Sequence, residues 1–213
     1  MNTKEKNAKT TKNSLTAEDG GLISFKEINK IKPGYFWYHD DTFSKDFLPN
    51  KELKALVEIV EDKVIYGNLT VNAHYEEYFA EYKKQSTWKG CRDFRSVYVF
   101  SALRYLTFDE LSKLLNSDIY PCKQNEKLVL YTRRQFEELK KVGNMLEKIL
   151  IKFKNPYKVF RVYDEWTSSY FYDNDNDGRK YHLYCKGINY NFGYTEAMDA
   201  KKAYTPVLAM KVK

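Results

Sequence analysis

The run Asp173-Asn-Asp-Asn-Asp-Gly178 puts carboxylates at the first, third and fifth positions and a glycine at the sixth, which is how a calcium loop opens. Oxygens at that spacing can converge on one cation because the glycine permits a sharp turn. The twelfth position is Tyr184 rather than a bidentate Glu, and no helical pattern flanks the run. Asn, Asp and Gly are also what a tight hairpin turn requires. A turn is therefore the first reading. Ca2+ held by Asp173, Asp175 and Asp177 is the alternative, and no other cofactor is expected.

Around that run lies a series of tyrosines: Tyr170, Tyr172, Tyr181, Tyr184, Tyr190 and Tyr194, with Asn191 among them. Phenol rings stack on sugars and peptides at low entropic cost, and an interleaved amide can bond the ligand's edges. The chain carries 19 Tyr and 13 Phe in 213 residues, more phenol than a core of this size can pair with buried hydrogen-bond partners. The surplus after residue 163 is the expected ligand surface. Tyr181 and Cys185 alternate onto one side of a strand, His182 and Tyr184 onto the other, so one set faces a ligand at a time. Trp166 is expected as a core anchor rather than a contact.

Convergent catalytic groups are missing. His39, His74 and His182 form no HxH or HExxH pattern, and GxSxG and GxxxxGK are absent. Cys91, Cys122 and Cys185 are odd in number and form no CxxC, which argues against a disulfide framework or zinc site and for small core hydrophobes. The chain is read as non-enzymatic.

Charge is localised. The net +7 comes from residues 1–13, with four lysines against one glutamate, and from 133–158, with eight cations against three carboxylates. A solvated tail and helix face explain both. A phosphate-binding face built from Lys140, Lys141, Lys148 and Lys152 is the nucleic-acid alternative, and no recognised nucleic-acid motif accompanies it. The 43% hydrophobic content supports a folded core, and no apolar run is long enough for a membrane span. No apolar segment follows the N-terminal lysines, so no secretory signal is expected.

These residues must be positioned by elements whose signals are local. Residues 1–21, rich in Lys, Asn, Thr and Ser and ending in Gly20-Gly21, read as a basic flexible arm. Tyr35–Tyr38 forms a strand before a turn at Asp40-Asp41. Residues 53–60 fit either a helix or a strand; the hairpin with Val64-Ile65-Tyr66 across 61–63 is preferred. Capping boxes at Thr107/Glu110 and Thr132/Gln135 open two helices, the second with Phe136, Leu139, Leu146, Ile149, Leu150 and Phe153 at core spacing and a stop at Asn155-Pro156. A short helix is expected around 75–83, and strands at 158–163, 180–185 and 205–212. The organisation is an arm (1–21) and one domain (22–213), the latter made of a β segment (22–72), a helical middle (73–157) and C-terminal strands with binding loops (158–213). The fold class is α+β, with the last strands returning to the first sheet.

Four segments in this order carry a resemblance. Gly34-Tyr-Phe-Trp-Tyr-His-Asp-Asp-Thr-Phe-Ser44 is similar to an opening G-x-Y-x-x-D-G-T-x-S strand, and Arg104-Tyr-Leu-Thr-Phe-Asp-Glu-Leu111 to an R-L-P-T-x-D-E-L helix start. Asp164-Glu-Trp-Thr-Ser-Ser-Tyr170 is similar to Y-W-S-S-T-E, and Tyr204-Thr-Pro-Val-Leu-Ala209 to a closing V-R-P-V-L-A strand. Together they resemble the C-type-lectin-like domain family of gut anaerobes and their phages, which is similar in fold to formylglycine-generating enzymes and retroelement variable proteins. The family's Leu-Pro is replaced here by Tyr105-Leu106, and residues 121–131 match nothing in it.

The resemblance implies a mixed β-sheet core with two flanking helices and ligand contact near the C-terminal strands. It implies a non-catalytic ligand- or receptor-binding protein whose partner is a cell-surface glycan or protein receptor. A phage virion component, assembled in the host cytoplasm and docked to other virion proteins through the N-terminal arm, accommodates the missing secretory signal. An intracellular (cytoplasmic) or non-classically exported host binding protein of the same fold is the alternative. A formylglycine-generating-type enzyme would need paired cysteines near the C-terminal sheet, where only Cys185 stands.

Overall fold

The computed structural model describes residues 21–80, 103–152, 165–173, 179–188, 191–197, 202–205 and 207–212. The fold is α+β. Seven strands form an antiparallel sheet in the order β1-β3-β2-β4-β5-β12-β7: β1 (Ile23–Ser24), β2 (Phe36–Tyr38), β3 (Thr42–Ser44), β4 (Leu53–Glu61), β5 (Val64–Asn68), β7 (Glu126–Val129) and β12 (Val207–Lys211). A five-stranded mixed sheet has the order β10-β9-β8-β11-β6: β6 (Leu103–Leu106), β8 (Glu165–Asp173), β9 (Arg179–Ile188), β10 (Asn191–Ala197) and β11 (Lys202–Tyr204), with β8 and β11 parallel. The described helices include α1 (Tyr75–Tyr78), α2 (Phe108–Leu115) and α3 (Arg133–Lys152).

The β4–β5 hairpin forms where the 53–66 segment predicts it, turning through Asp62 and Lys63, both at positive φ (45° and 62°). That mirror-image two-residue turn matches the right-handed twist of the strands. The closing strand returns to the first sheet as expected: β12 lies beside β5, and the Val212 N–H bonds the Lys63 carbonyl at 2.8 Å. Two features depart from the sequence reading. The segment 73–157 contains strands β6 and β7 as well as helices. The Tyr204–Ala209 motif spans two sheets, because β11 ends at Tyr204 and β12 begins at Val207; Pro206 supplies no ladder donor between them.

Both faces of the seven-stranded sheet are covered. Trp37, Phe43, Ala55, Val57 and Leu208 pack with Leu111 and Leu114 of α2. Phe36, Tyr38 and Leu56 pack with Phe136, Leu139, Leu146 and Leu150 of α3. Each large apolar side chain among them contributes about 1.5–3 kcal/mol by leaving water. Both helices start on their capping boxes. The Glu110 N–H reaches the Thr107 hydroxyl at 3.3 Å while the Thr107 N–H reaches Glu110; Gln135 and Thr132 bond reciprocally at 3.1 and 2.9 Å. Gly34 adopts φ +89°, and a Cβ there would meet the Ile149 Cδ1 at 2.7 Å, so the turn into β2 needs glycine for conformation and for the approach of α3.

Strand β4 explains why residues 53–60 fit two periods. Trp37 pairs with Ala55 and Tyr38 with Leu53, leaving Lys54 as an extra residue; Val57 pairs with Gly67 and Ile59 with Tyr66, leaving Glu58 as another. Two bulges four residues apart re-phase the alternation. Apolar residues therefore fall at near-helical spacing on a strand buried on both faces.

Candidate functional site

Strands β8, β9 and β10 carry the tyrosine series, and their register decides which of its members stand together. Tyr170 pairs with His182, Tyr172 with Lys180, and Trp166 with Tyr184; Tyr184 in turn pairs with Thr195, and Asn191 with Ile188. Facing residues in an antiparallel ladder share a side and neighbours along a strand alternate. By register, Tyr170, Tyr172, Tyr184 and Asn191 belong to one face. Tyr181, opposite Phe171, and Tyr194, opposite Cys185, belong to the other. The register keeps Tyr181 and Tyr184 on opposite sides, as their spacing along the strand implies, and adds that Tyr194 goes with Tyr181 while Tyr170, Tyr172 and Asn191 go with Tyr184. Tyr190 lies outside the described residues.

Asp173 ends β8 opposite Arg179 in an antiparallel pair with β9, and residues 174–178, on which the turn and calcium readings rest, lie outside the described residues. Asp175 and Asp177 lie outside the described residues, as do Cys91, Phe153, the expected strand at 158–163 and residues 1–20 of the arm. Cys122 corrects the expectation of a core thiol: it is exposed, in the connection between α2 and β7. The helix face offered for phosphate binding is partly neutralised: Lys140 lies 3.5 Å from Glu137 and Lys141 2.7 Å from Glu138. Among the described residues, no helix is long and apolar enough to cross a membrane.

The two β4 bulges put a charge into each core, which sequence reasoning missed. Lys54 is 2% exposed, binds the fully buried Glu126 carboxylate, and sits 4.9 Å over the Trp37 ring. Asp41 lies 3.7 Å from the Lys54 ammonium and accepts from Lys123 at 2.7 Å, and the Lys123 N–H bonds Glu126 at 3.0 Å. On the other side, the buried Glu58 carboxylate accepts from Asn68 (3.1 Å) and the Tyr131 hydroxyl (3.0 Å). The available signal was a charged residue four apart within an otherwise apolar strand. Beside the first cluster, His39 contacts Asn72 at 3.1 Å and Glu52 at 3.6 Å; burial lowers its pKa from the ordinary 6.5, against the opposing pull of Glu52. These groups bond one another and tie β4 to the loops preceding β3 and β7.

Sheet and helix pack together through a few direct ties. The Ser168 N–H bonds the Tyr131 carbonyl at 2.8 Å, the Ser169 hydroxyl accepts from the Arg133 N–H at 3.0 Å, and α3 contacts β8, β9 and β10. The tyrosine strands are therefore anchored to the seven-stranded sheet through α3 and the segment before it. Comparison with protein-family models, with curated proteins and with solved structures finds no match.

Proposed function

We propose that the chain is a non-catalytic binding protein of the C-type-lectin-like type, a phage virion component that presents β8–β10 to a cell-surface glycan or protein receptor. The observation that carries the reading is the register that gathers Tyr170, Tyr172, Tyr184 and Asn191 on one face of adjacent strands. Three phenols and an amide across three strands match the chemistry of a saccharide or peptide: stacking surface, hydroxyl and carboxamide. The α+β core, with a helix on each face of the first sheet and the last strand returned to it, supports the same reading. The virion setting rests on the family resemblance, with the N-terminal arm as the docking segment.

A printed glycan array and fixed cells of gut anaerobes, the latter with and without protease treatment, provide the probes. Tyr172→Ala plus Tyr184→Ala is expected to weaken binding at least tenfold, while Tyr181→Ala plus Tyr194→Ala changes it little. Equal effects of the two pairs, or no binding by the unaltered chain to any probe, would overturn the proposal.

A further inference from the structure

A second surface lies along the edge of the seven-stranded sheet and touches β8 at Ser168. A groove of about 840 Å³ runs along the outer side of β7, from α2 to the start of α3 and onto the sheet face that carries Tyr66. Its volume falls within the roughly 300–1,000 Å³ typical of small-ligand sites. Ala209 forms a low point in it, opposite Tyr66 on β5 and Lys127 on β7. The methyl group is short, so the half-buried Tyr66 ring and the Lys127 stem rise on either side. Lys211 stands two residues along β12 on the same face, diagonal to Lys127.

Both lysines are exposed and line the groove, and neither has an ion-pair partner among the described residues. Like charges at a cross-strand diagonal repel, and an anion between them turns that repulsion into attraction. The one carboxylate in the lining, Glu126, is buried and already bound to Lys54. Gln124, Ser112 and Ser168 add neutral hydrogen-bonding groups to the rim. An extended peptide meets a donor on β7 that is already taken, because the Glu126 N–H bonds the Lys123 carbonyl at 2.9 Å. The groove therefore suits a ligand that is held by side chains.

We propose that this groove binds an acidic saccharide, with the sugar ring on the Tyr66 side of the hollow and its carboxylate between Lys127 and Lys211. The ring's apolar C–H face meets the aromatic and aliphatic floor, and its hydroxyls meet the amide and hydroxyl rim. This site is separate from the tyrosine face and stands or falls independently of it.

Titration calorimetry of the full chain with a short oligogalacturonate, its methyl ester and poly-glutamate tests the assignment. The acid is expected to bind and the ester, which keeps the ring but loses the charge, to bind at least tenfold more weakly. Lys127→Gln plus Lys211→Gln should weaken binding about tenfold, in line with two exposed charge contacts. Lys113→Gln plus Lys148→Gln removes equal charge outside the groove and should leave it unchanged, as should Tyr172→Ala plus Tyr184→Ala. Equal loss from the two lysine pairs, equal binding of ester or poly-glutamate, or no binding of the acid by the unaltered chain would overturn the proposal. Because both lysines are surface residues, a thermal melt of the Lys127/Lys211 variant should match that of the unaltered chain. A lowered melt would assign the loss to folding and count against the site.

Discussion

Strand β4 and strand β9 are nearly the same length and are built on opposite plans. β4, Leu-Lys-Ala-Leu-Val-Glu-Ile-Val-Glu, buries its first seven residues in succession, charges included. β9, Arg-Lys-Tyr-His-Leu-Tyr-Cys-Lys-Gly-Ile, mixes ring-bearing and cationic residues with few aliphatic ones, and its register deals them to two faces. A central strand covered on both sides reads as a continuous apolar run, and its few polar residues must be satisfied internally. The first sheet carries the two buried cores, and the tyrosine strands carry the proposed recognition surface.

The contrast can be broken hardest at Glu126. Removing it by Glu126→Ala leaves the buried Lys54 ammonium with only the more distant Asp41, and urea unfolding should show a loss of about 3–5 kcal/mol. Lys54→Met together with Glu126→Leu should recover most of that loss, since neither charge is then stranded. Recovery failing would mean that the bulge geometry itself, not charge pairing, holds β4.

A smaller effect is expected at Gly67. A Cβ there would lie 2.7 Å from the Ala55 Cβ and 3.0 Å from the Trp37 ring. Gly67→Ala should destabilise by about 1–3 kcal/mol through overpacking, and Ala55→Gly in the same chain should relieve part of it. Alanine substitutions at Tyr172 and Tyr184 bear on the opposite side of the comparison, where binding rather than stability is expected to respond.

The smallest effect is pH-dependent. Burial lowers the His39 pKa below 6.5, so the folded protein takes up a proton less readily than the unfolded chain. Its contribution to stability is complete above about pH 6.5 and declines as pH falls toward the lowered folded value. Thermal melts at pH 7.5 and pH 5 should therefore differ less for His39→Gln than for the unaltered chain. An unchanged difference would remove His39 from the pH response.

The legible parts were those set by neighbours in the chain. Thr107/Glu110 and Thr132/Gln135 announce helix starts because a capping box closes within four residues. The 53–66 hairpin was readable despite its ambiguous period, because β-branched residues flank a short polar turn. Lys54 and Glu58 misled any periodic reading, since a bulge exists only relative to the strand opposite. β7 escaped notice for the same reason: Glu-Lys-Leu-Val becomes a strand by pairing with β12, far later in the chain.

The candidate site divides in the same way. Its composition, six tyrosines and an asparagine between 170 and 194, is written in the sequence by itself, as are the two capped helices and the α+β class. The tertiary structure decided which residues stand together: it put Tyr170, Tyr172, Tyr184 and Asn191 on one face and Tyr181 and Tyr194 on the other. It also brought Lys127 and Lys211 to adjacent strands around Ala209. Capping and turn preferences act over a few residues, whereas register and burial are fixed by hydrogen bonds and packing between segments distant in the chain.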